Sequence, residues 1–201
     1  MEPAFKRRTA LRGAAVLAAG AAAPVGVAAA GDFAELVWRA SAPGISPQPF
    51  RTRIVSGIPA VVGYGTSVTL GPVIVQAISH PSFPLIVRSA GYSSVTATVT
   101  GTAVVTDARG LSGRVPVTIV FPRVTVPTTG VETVLTGTAT VTGTPQLPAV
   151  RNPGTMKIEA ETPVQGAVTL FKDSGASTSI TSLITLTPNT PVPPVATIEV
   201  R

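Results

Sequence analysis

Between residues 95 and 106 the chain reads VTATVTGTAVVT, and this stretch decides the fold class. Small apolar residues fill the odd positions, and threonine fills five of the six even ones. A period of two places these sets on opposite faces of a β-strand. Threonine favours the pleated backbone because it is β-branched, and its hydroxyl tolerates water. We therefore expect one buried and one solvated face, which is typical of antiparallel sheets.

The same alternation recurs at residues 132–144, where Leu135, Gly137, Ala139 and Val141 alternate with threonines. Gly101 and Gly137, inside the two runs, predict bulges or a tight sheet-to-sheet approach. No helical period is evident after residue 31. Further strands are predicted at 35–40, 50–56, 67–78, 85–89, 114–121, 155–160, 167–172, 178–187 and 195–200.

Turn signals separate these strands at 107–110, 152–154 and 173–175. Many short strands at this spacing favour a sandwich or a small barrel. We predict one all-β domain over 31–201, an antiparallel β-sandwich that is immunoglobulin-like or related. A single domain is favoured because no linker-like stretch divides the chain. The proline-rich segment 188–194 is expected to cross between the sheets.

Residues 1–30 have the organisation of a signal peptide. A basic segment ending at Arg12 precedes an alanine-dominated apolar run, and Ala28, Ala29 and Ala30 form a small-residue cleavage site. The sequence RRTALR at 7–12 resembles the twin-arginine consensus. We therefore expect a twin-arginine-type signal and a secreted, cell-envelope or extracellular location. The alternative is an ordinary secretory signal that contains two arginines.

The composition excludes several classes of protein. The chain has 201 residues, 44% of them hydrophobic and 12% charged, which indicates a globular protein. The formal charge of +6 falls to +3 without residues 1–30, and the basic residues are scattered, so nucleic-acid binding is not expected. No cysteine is present to form a disulfide or a lipid anchor. No other apolar run is long enough to cross a bilayer, so no stable membrane span is expected after removal of the signal.

Three segments carry a resemblance to a known family: IPAVVG at 58–63, VPVTIVFP at 115–122 with VPTTG at 126–130, and PGTMKI at 153–158. In order and spacing, the chain from about residue 37 onward resembles an uncharacterised family of secreted actinobacterial β-domains, known as a domain of unknown function. That family often carries two cysteines, which the corresponding stretches 38–50 and 173–181 lack, so no disulfide is implied. The resemblance implies location and architecture, and it brings no catalytic residues.

Catalytic constellations are missing from the sequence. His80 is the single histidine, no G-x-S-x-G motif accompanies it, and it is interpreted as a solvated loop residue. One histidine without cysteine cannot supply the usual zinc ligands, and no calcium loop occurs. Glu159 and Glu161 share one strand face with Lys157, which indicates a solvated surface. We predict no catalytic, cofactor or metal site and a protein that is not an enzyme. An enzyme of unfamiliar type, using His80 and Glu159, is the minority reading.

Four residues are the candidates for a binding patch. Tyr64 and Tyr92 lie beside glycines in apparent loops, and Arg51 and Arg53 share one face of a strand. The arginines would contact an anionic partner such as a surface polymer or headgroup. Alternatively, they protect an edge strand against unwanted pairing. The remaining aromatic residues, Trp38 among them, are expected to pack inward.

The resulting hypothesis is a non-enzymatic secreted domain that acts through surface contacts with a cell-envelope component or a protein partner. No cofactor is expected. The alternative is a binder of an apolar small molecule or lipid between the sheets. Its motive is the space left by small inward residues, namely Ala97, Gly101, Ala103, Gly137 and Ala139.

Overall fold

The computed structural model describes residues 35–42, 45–64, 72–142, 153–172, 179–188 and 193–201. The predicted signal peptide and the predicted turn at 173–175 lie outside these residues. In the described part of the chain there are eleven strands and one helix: β1 (Leu36–Ala42), β2 (Ile45–Ser56), β3 (Val61–Val62), β4 (Val73–Ser79), α1 (Ser82–Ser89), β5 (Tyr92–Thr106), β6 (Ser112–Thr125), β7 (Val134–Val141), β8 (Gly154–Ala160), β9 (Val164–Lys172), β10 (Ser179–Pro188) and β11 (Ala196–Val200).

Eight of the strands close into an antiparallel barrel. Their order is β5-β6-β7-β4-β2-β1-β10-β9, and β9 pairs back with β5. Every neighbouring pair in this ring is antiparallel. The all-β prediction is confirmed, but the predicted open β-sandwich is wrong. A closed ring leaves no strand edge unpaired, whereas a sandwich keeps the edges of both sheets.

The β5–β6 hairpin is longer than the barrel and carries a second, smaller sheet. Beyond Thr100 the strand β5 separates from β9, and residues 103–106 pair with β8 instead. β11 then pairs antiparallel with β8, and the short β3 pairs parallel with β11. The hairpin ends in the predicted turn at 107–110, where the amide of Gly110 donates to the carbonyl of Asp107 at 3.0 Å.

Burial follows the alternation that the sequence predicts. On the outer surface of β5 and β7, Thr98, Thr100, Thr136, Thr138 and Thr140 are exposed. The inward residues form three buried clusters: Val75, Val87, Val95, Ala97, Phe121, Val126 and Leu135 in the barrel; Ile58, Val105, Val115, Met156, Ile158, Ala196, Ile198 and Val200 at the second sheet; and Leu36, Trp38, Val164 and Leu186 at the β1–β10 side.

Trp38 packs inward as predicted. Only 5% of Trp38 is exposed, and its indole Nε1 donates a hydrogen bond to Thr52 Oγ1 at 2.8 Å. Thr52 lies on β2, the strand that pairs with β1. The tryptophan therefore fills space at the third cluster and also satisfies its one polar atom, as a buried indole requires.

The predicted strand at 85–89 is wrong, because this segment lies in the helix α1. Pro84 is accommodated because it occupies the first turn, where an amide hydrogen has no partner within the helix. Pro84 and Val87 are buried, and Phe83 and Val87 pack on the barrel cluster. Because a helix places Phe83 and Val87 together on the barrel cluster, this packing favours the helix over a strand. No helix in the described residues is long and apolar enough to span a bilayer.

Candidate functional site

The four residues predicted to form a binding patch are not brought together. Arg51 and Arg53 lie on β2, and Tyr92 begins β5. β2 is four strands away from β5 in both directions around the eight-stranded ring, so the two strands are on opposite sides. Tyr64 follows β3 at the margin of the second sheet, where its amide donates to the carbonyl of Arg201. The residues therefore occupy three separate surfaces.

Arg51 is neutralised by two carboxylates. Its guanidinium lies 3.2 Å from Glu35 and 2.7 Å from Glu132. The hydrogen bond that Arg51 donates to Glu35 and the negative charge of Glu132 raise the pKa of Arg51 above its ordinary value. Arg51 lies on β2 and Glu132 directly precedes β7, and β4 lies between these two strands. The ion pair between Arg51 and Glu132 therefore spans β4. This arrangement favours a structural role for Arg51 over contact with an external anion.

Arg53 and Tyr92 differ from expectation in smaller ways, whereas Tyr64 agrees with it. Arg53 Nε donates to Gln76 Oε1 on β4 at 2.8 Å. Because β2 pairs with β1 and β4 on its two sides, the arginines do not protect an edge strand. Tyr64 is exposed, as expected. Tyr92 lies in a strand and not in a loop, and Lys172 Nζ lies 5.4 Å from the centre of its ring.

A different group of polar residues meets where β5 begins, and a bulge in β6 brings it together. The register of β5 and β6 shifts between Val95 and Ala97, whose partners are Val124 and Phe121. Pro122 and Arg123 therefore both oppose Thr96. Proline lacks the amide hydrogen that a regular ladder needs, so Pro122 favours the irregularity. Thr96 Oγ1 donates to the carbonyl of Phe121 at 2.8 Å and fixes the bulge.

A second irregularity lies on the other side of β5. The register with β9 shifts between Tyr92 and Ser94, so Ser93 is the extra residue. Ser93 and Ser94 are buried at 3% and 5% exposure, although both are polar. Ser93 Oγ donates to the carbonyl of Phe171. Bulges of this kind often re-aim side chains at barrel rims and binding sites.

Arg123 is held by two contacts in this region. Its Nε donates to Ser94 Oγ at 2.7 Å, and its guanidinium carbon lies 4.4 Å from the centre of the Phe171 ring. Stacking on the aromatic face and the hydrogen bond fix the plane of the guanidinium. None of the ion pairs formed by described residues involves Arg123. Within the described part of the chain, the N–H groups of its two terminal nitrogens therefore remain available for another acceptor.

These residues line a depression of about 340 Å³, whose walls are Ser93, Ser94, Arg123 and Thr125. We call it the Arg123 cleft. Ser94 Oγ accepts from Arg123, so its own hydroxyl hydrogen is available to donate, and Thr125 adds another hydroxyl. A fixed guanidinium beside hydroxyl donors matches an anion with two or three oxygens, such as a carboxylate, phosphate or sulfate group.

The sequence reasoning missed every residue of the Arg123 cleft. Ser94 and Arg123 are 29 positions apart, and Phe171 comes from a third strand, so no local motif marks the cleft. One signal was available, because Pro122 lies inside a long β pattern. A proline at such a position predicts a bulge, and Arg123 follows it directly.

Two of the small inward residues face filled space. A Cβ atom on Gly137 would lie 2.7 Å from Phe121 Cδ1, and one on Gly101 would lie 3.3 Å from Val164 Cγ1. Both glycines are closely approached, but by side chains of the neighbouring strands β6 and β9 in the same ring and not by a second, stacked sheet, so the predicted sheet-to-sheet approach is wrong. At these two positions larger neighbours occupy the room that an apolar ligand would need.

His80 lies at the start of α1 with a local partner. Its Nδ1 is 2.8 Å from Ser82 Oγ and accepts from the amide of Ser82 at 3.2 Å. The contact with the amide satisfies one of the free donors at the helix start, which is a capping role. Within the described ranges, no three His, Cys, Asp or Glu residues are grouped to hold a metal ion.

Comparisons of the chain with protein families, with curated proteins and with solved structures find no match. The geometry of the Arg123 cleft is therefore the main basis for a functional proposal.

Proposed function

We propose that the protein is a non-enzymatic binding module of the cell envelope or extracellular space. It holds anionic groups of an envelope component or protein partner in the Arg123 cleft. The observation that carries the proposal is the guanidinium of Arg123, which is stacked on Phe171, bonded to Ser94 and unpaired with any carboxylate of the described residues. The signal-like residues 1–30 support the location.

Preorganisation is the physical reason to favour binding at this cleft over the exposed cations that are paired with carboxylates. A free arginine side chain loses rotamer entropy when it binds, whereas Arg123 is already fixed by its two contacts. Arg51 and Arg201 are also held, but by the carboxylates of Glu35, Glu132 and Glu199, which neutralise them. Arg123 combines a fixed geometry with a charge that no carboxylate of the described residues neutralises.

The direct test is a titration of the folded protein with inorganic phosphate and, separately, with acetate, followed by NMR of backbone amides. We expect saturable shifts at Ser93, Ser94 and Thr125. Arg123→Ala should abolish the saturable shifts. Arg123→Lys should retain weak binding, because a lysine keeps the charge but loses the planar pair of donors.

Arg109→Ala is the matched control. It removes one positive charge from the exposed turn at the far end of the β5–β6 hairpin, about 40 Å away. A purely long-range charge effect would weaken phosphate binding equally in both alanine variants, and that result would overturn the proposal. Shifts that never saturate in the unmodified protein would overturn it as well.

A further inference from the structure

An apolar surface lies on the exposed side of α1 and in the loop after β6. Leu85 and Ile86 project from α1 with 51% and 47% exposure, and Val131 in the loop after β6 is 52% exposed. We call these three residues the apolar tip. Single exposed apolar residues are ordinary on protein surfaces. Here the loop and the helix are in contact, since a Cβ atom on Gly130 would lie 3.3 Å from Leu85 Cδ1.

The apolar tip and the Arg123 cleft belong to the same end of the molecule. Arg88, in the last turn of α1, donates from Nε to the carbonyl of Val126 at 2.9 Å. The amide of Val126 donates to the carbonyl of Ser93, a wall of the cleft. Val126 follows Arg123 by three residues, so one short segment joins the helix to the cleft.

Two positively charged side chains lie at this end. Arg123 and Lys172 have no ion-pair partner among the described residues, and Lys172 is held over Tyr92 at the rim. The carboxylate nearest in sequence to the apolar tip, Glu132, is engaged by Arg51. An apolar projection flanked by unpaired cations and an aromatic ring is complementary to the interface of an anionic bilayer.

We propose that this end docks peripherally on an anionic lipid surface. Leu85, Ile86 and Val131 enter the boundary between headgroups and acyl chains, and the Arg123 cleft holds a headgroup phosphate. The inference rests on the proposed function, since it uses the same cleft and names its anion. It commits the envelope component to a lipid surface and makes a protein partner the competing outcome.

The test is co-sedimentation of the folded protein with neutral phosphatidylcholine vesicles and with vesicles containing phosphatidylglycerol. We expect binding to the anionic vesicles only, and weaker binding as salt is raised. The double variant Leu85→Ser with Ile86→Ser should lower the partition coefficient by about tenfold or more, because two apolar side chains no longer enter the interface. The midpoint of thermal unfolding of the double variant should be unchanged. The single variant Ile86→Ser should lower the partition coefficient by a smaller factor than the double variant does.

Leu111→Ser is the matched control, because Leu111 is 60% exposed but lies at the opposite end of the β5–β6 hairpin. It should bind anionic vesicles as the unmodified protein does. Equal binding by the Leu85/Ile86 double variant, or equal binding to neutral and anionic vesicles, would overturn the inference.

The two proposals fail separately. Phosphate that titrates the Arg123 cleft without any vesicle binding overturns the lipid inference and leaves the proposed function standing. Vesicle binding that is lost in the Leu85/Ile86 variant but unchanged in Arg123→Ala supports insertion of the tip and removes the cleft from the proposal. An envelope protein that binds through Leu85 and Ile86, with no vesicle binding, also overturns the lipid inference.

Discussion

Single residues set the geometry at the two places where the sheet departs from regularity. Pro122 cannot donate to the ladder, and the register shift at that point places Arg123 over Phe171. Gly137 has the opposite role, because it permits a close approach that no other residue would allow. A Cβ atom at this position would lie only 2.7 Å from the ring of Phe121.

Gly137→Ala should therefore lower the free energy of unfolding by about 1–3 kcal/mol, the usual cost of overpacking a core. The added methyl would lie 2.7 Å from Phe121 Cδ1 and 2.7 Å from the carbonyl oxygen of Val120, and the backbone atom cannot move aside easily. Denaturant unfolding of both proteins measures the difference.

Gly101→Ala is the comparison for that experiment. Its nearest neighbour would be a methyl of Val164 at 3.3 Å, a side-chain atom that can shift by a few tenths of an ångström. Gly101→Ala should therefore lower the free energy of unfolding by less than Gly137→Ala does. If the two alanine variants cost the same, the packing of Phe121 against Gly137 is not as tight as described.

At the scale of elements, α1 shows why a short helix escapes prediction. Its eight residues contain Pro84, and Ile86 and Val87 are β-branched, so local propensity favours a strand. Two turns are too short to display a clear helical period. The helix forms because Val87 is buried against the barrel cluster, a contact with residues distant in sequence.

Val87→Ala should consequently cost about 2 kcal/mol of stability, since the residue is 3% exposed and packs on the barrel cluster. Ile86→Ala, one position earlier on the exposed side, should change stability by less than about 0.5 kcal/mol. Thermal unfolding of the pair measures which side of α1 faces the barrel. A larger loss at Ile86 would contradict the orientation of the helix.

The strands themselves were largely predictable, and their closure was not. The alternation correctly places Thr98 and Thr100 of β5 and Thr136, Thr138 and Thr140 of β7 outside, and ten of the eleven strands overlap predicted segments. The two-residue β3 was missed because it is too short to show a period. Alternation is the same in a sandwich and in a barrel, so it cannot distinguish them. The distinction lies in the pairing of β5 with β9 and of β1 with β10, which joins residues far apart in sequence.

For the molecule as a whole, β5 and β6 belong to both the barrel and the second sheet. Val95 and Phe121 lie in the barrel cluster, while Val105 and Val115, on the same two strands, lie in the cluster of the second sheet. A continuous hairpin thus connects the two cores. Loosening one core would disturb the register of the strands that build the other.

We therefore expect a single cooperative unfolding transition. Far-UV circular dichroism and the fluorescence of Trp38, which belongs to the third cluster, should give the same midpoint in denaturant. Ile198→Ala, at 1% exposure in the second sheet, should lower both midpoints together. Separate midpoints would mean that the second sheet unfolds independently of the barrel.

The pairing of β1 with β10 has a consequence for biosynthesis. Leu36–Ala42 is made early, yet on one side it must wait for Ser179–Pro188 before its hydrogen bonds are complete. During translation the nascent chain holds an open sheet until that late segment leaves the ribosome. A truncated chain that lacks Ser179–Pro188 would have two unpaired strand edges, one on β1 and one on β9. Such a chain should aggregate with other copies of itself through these edges.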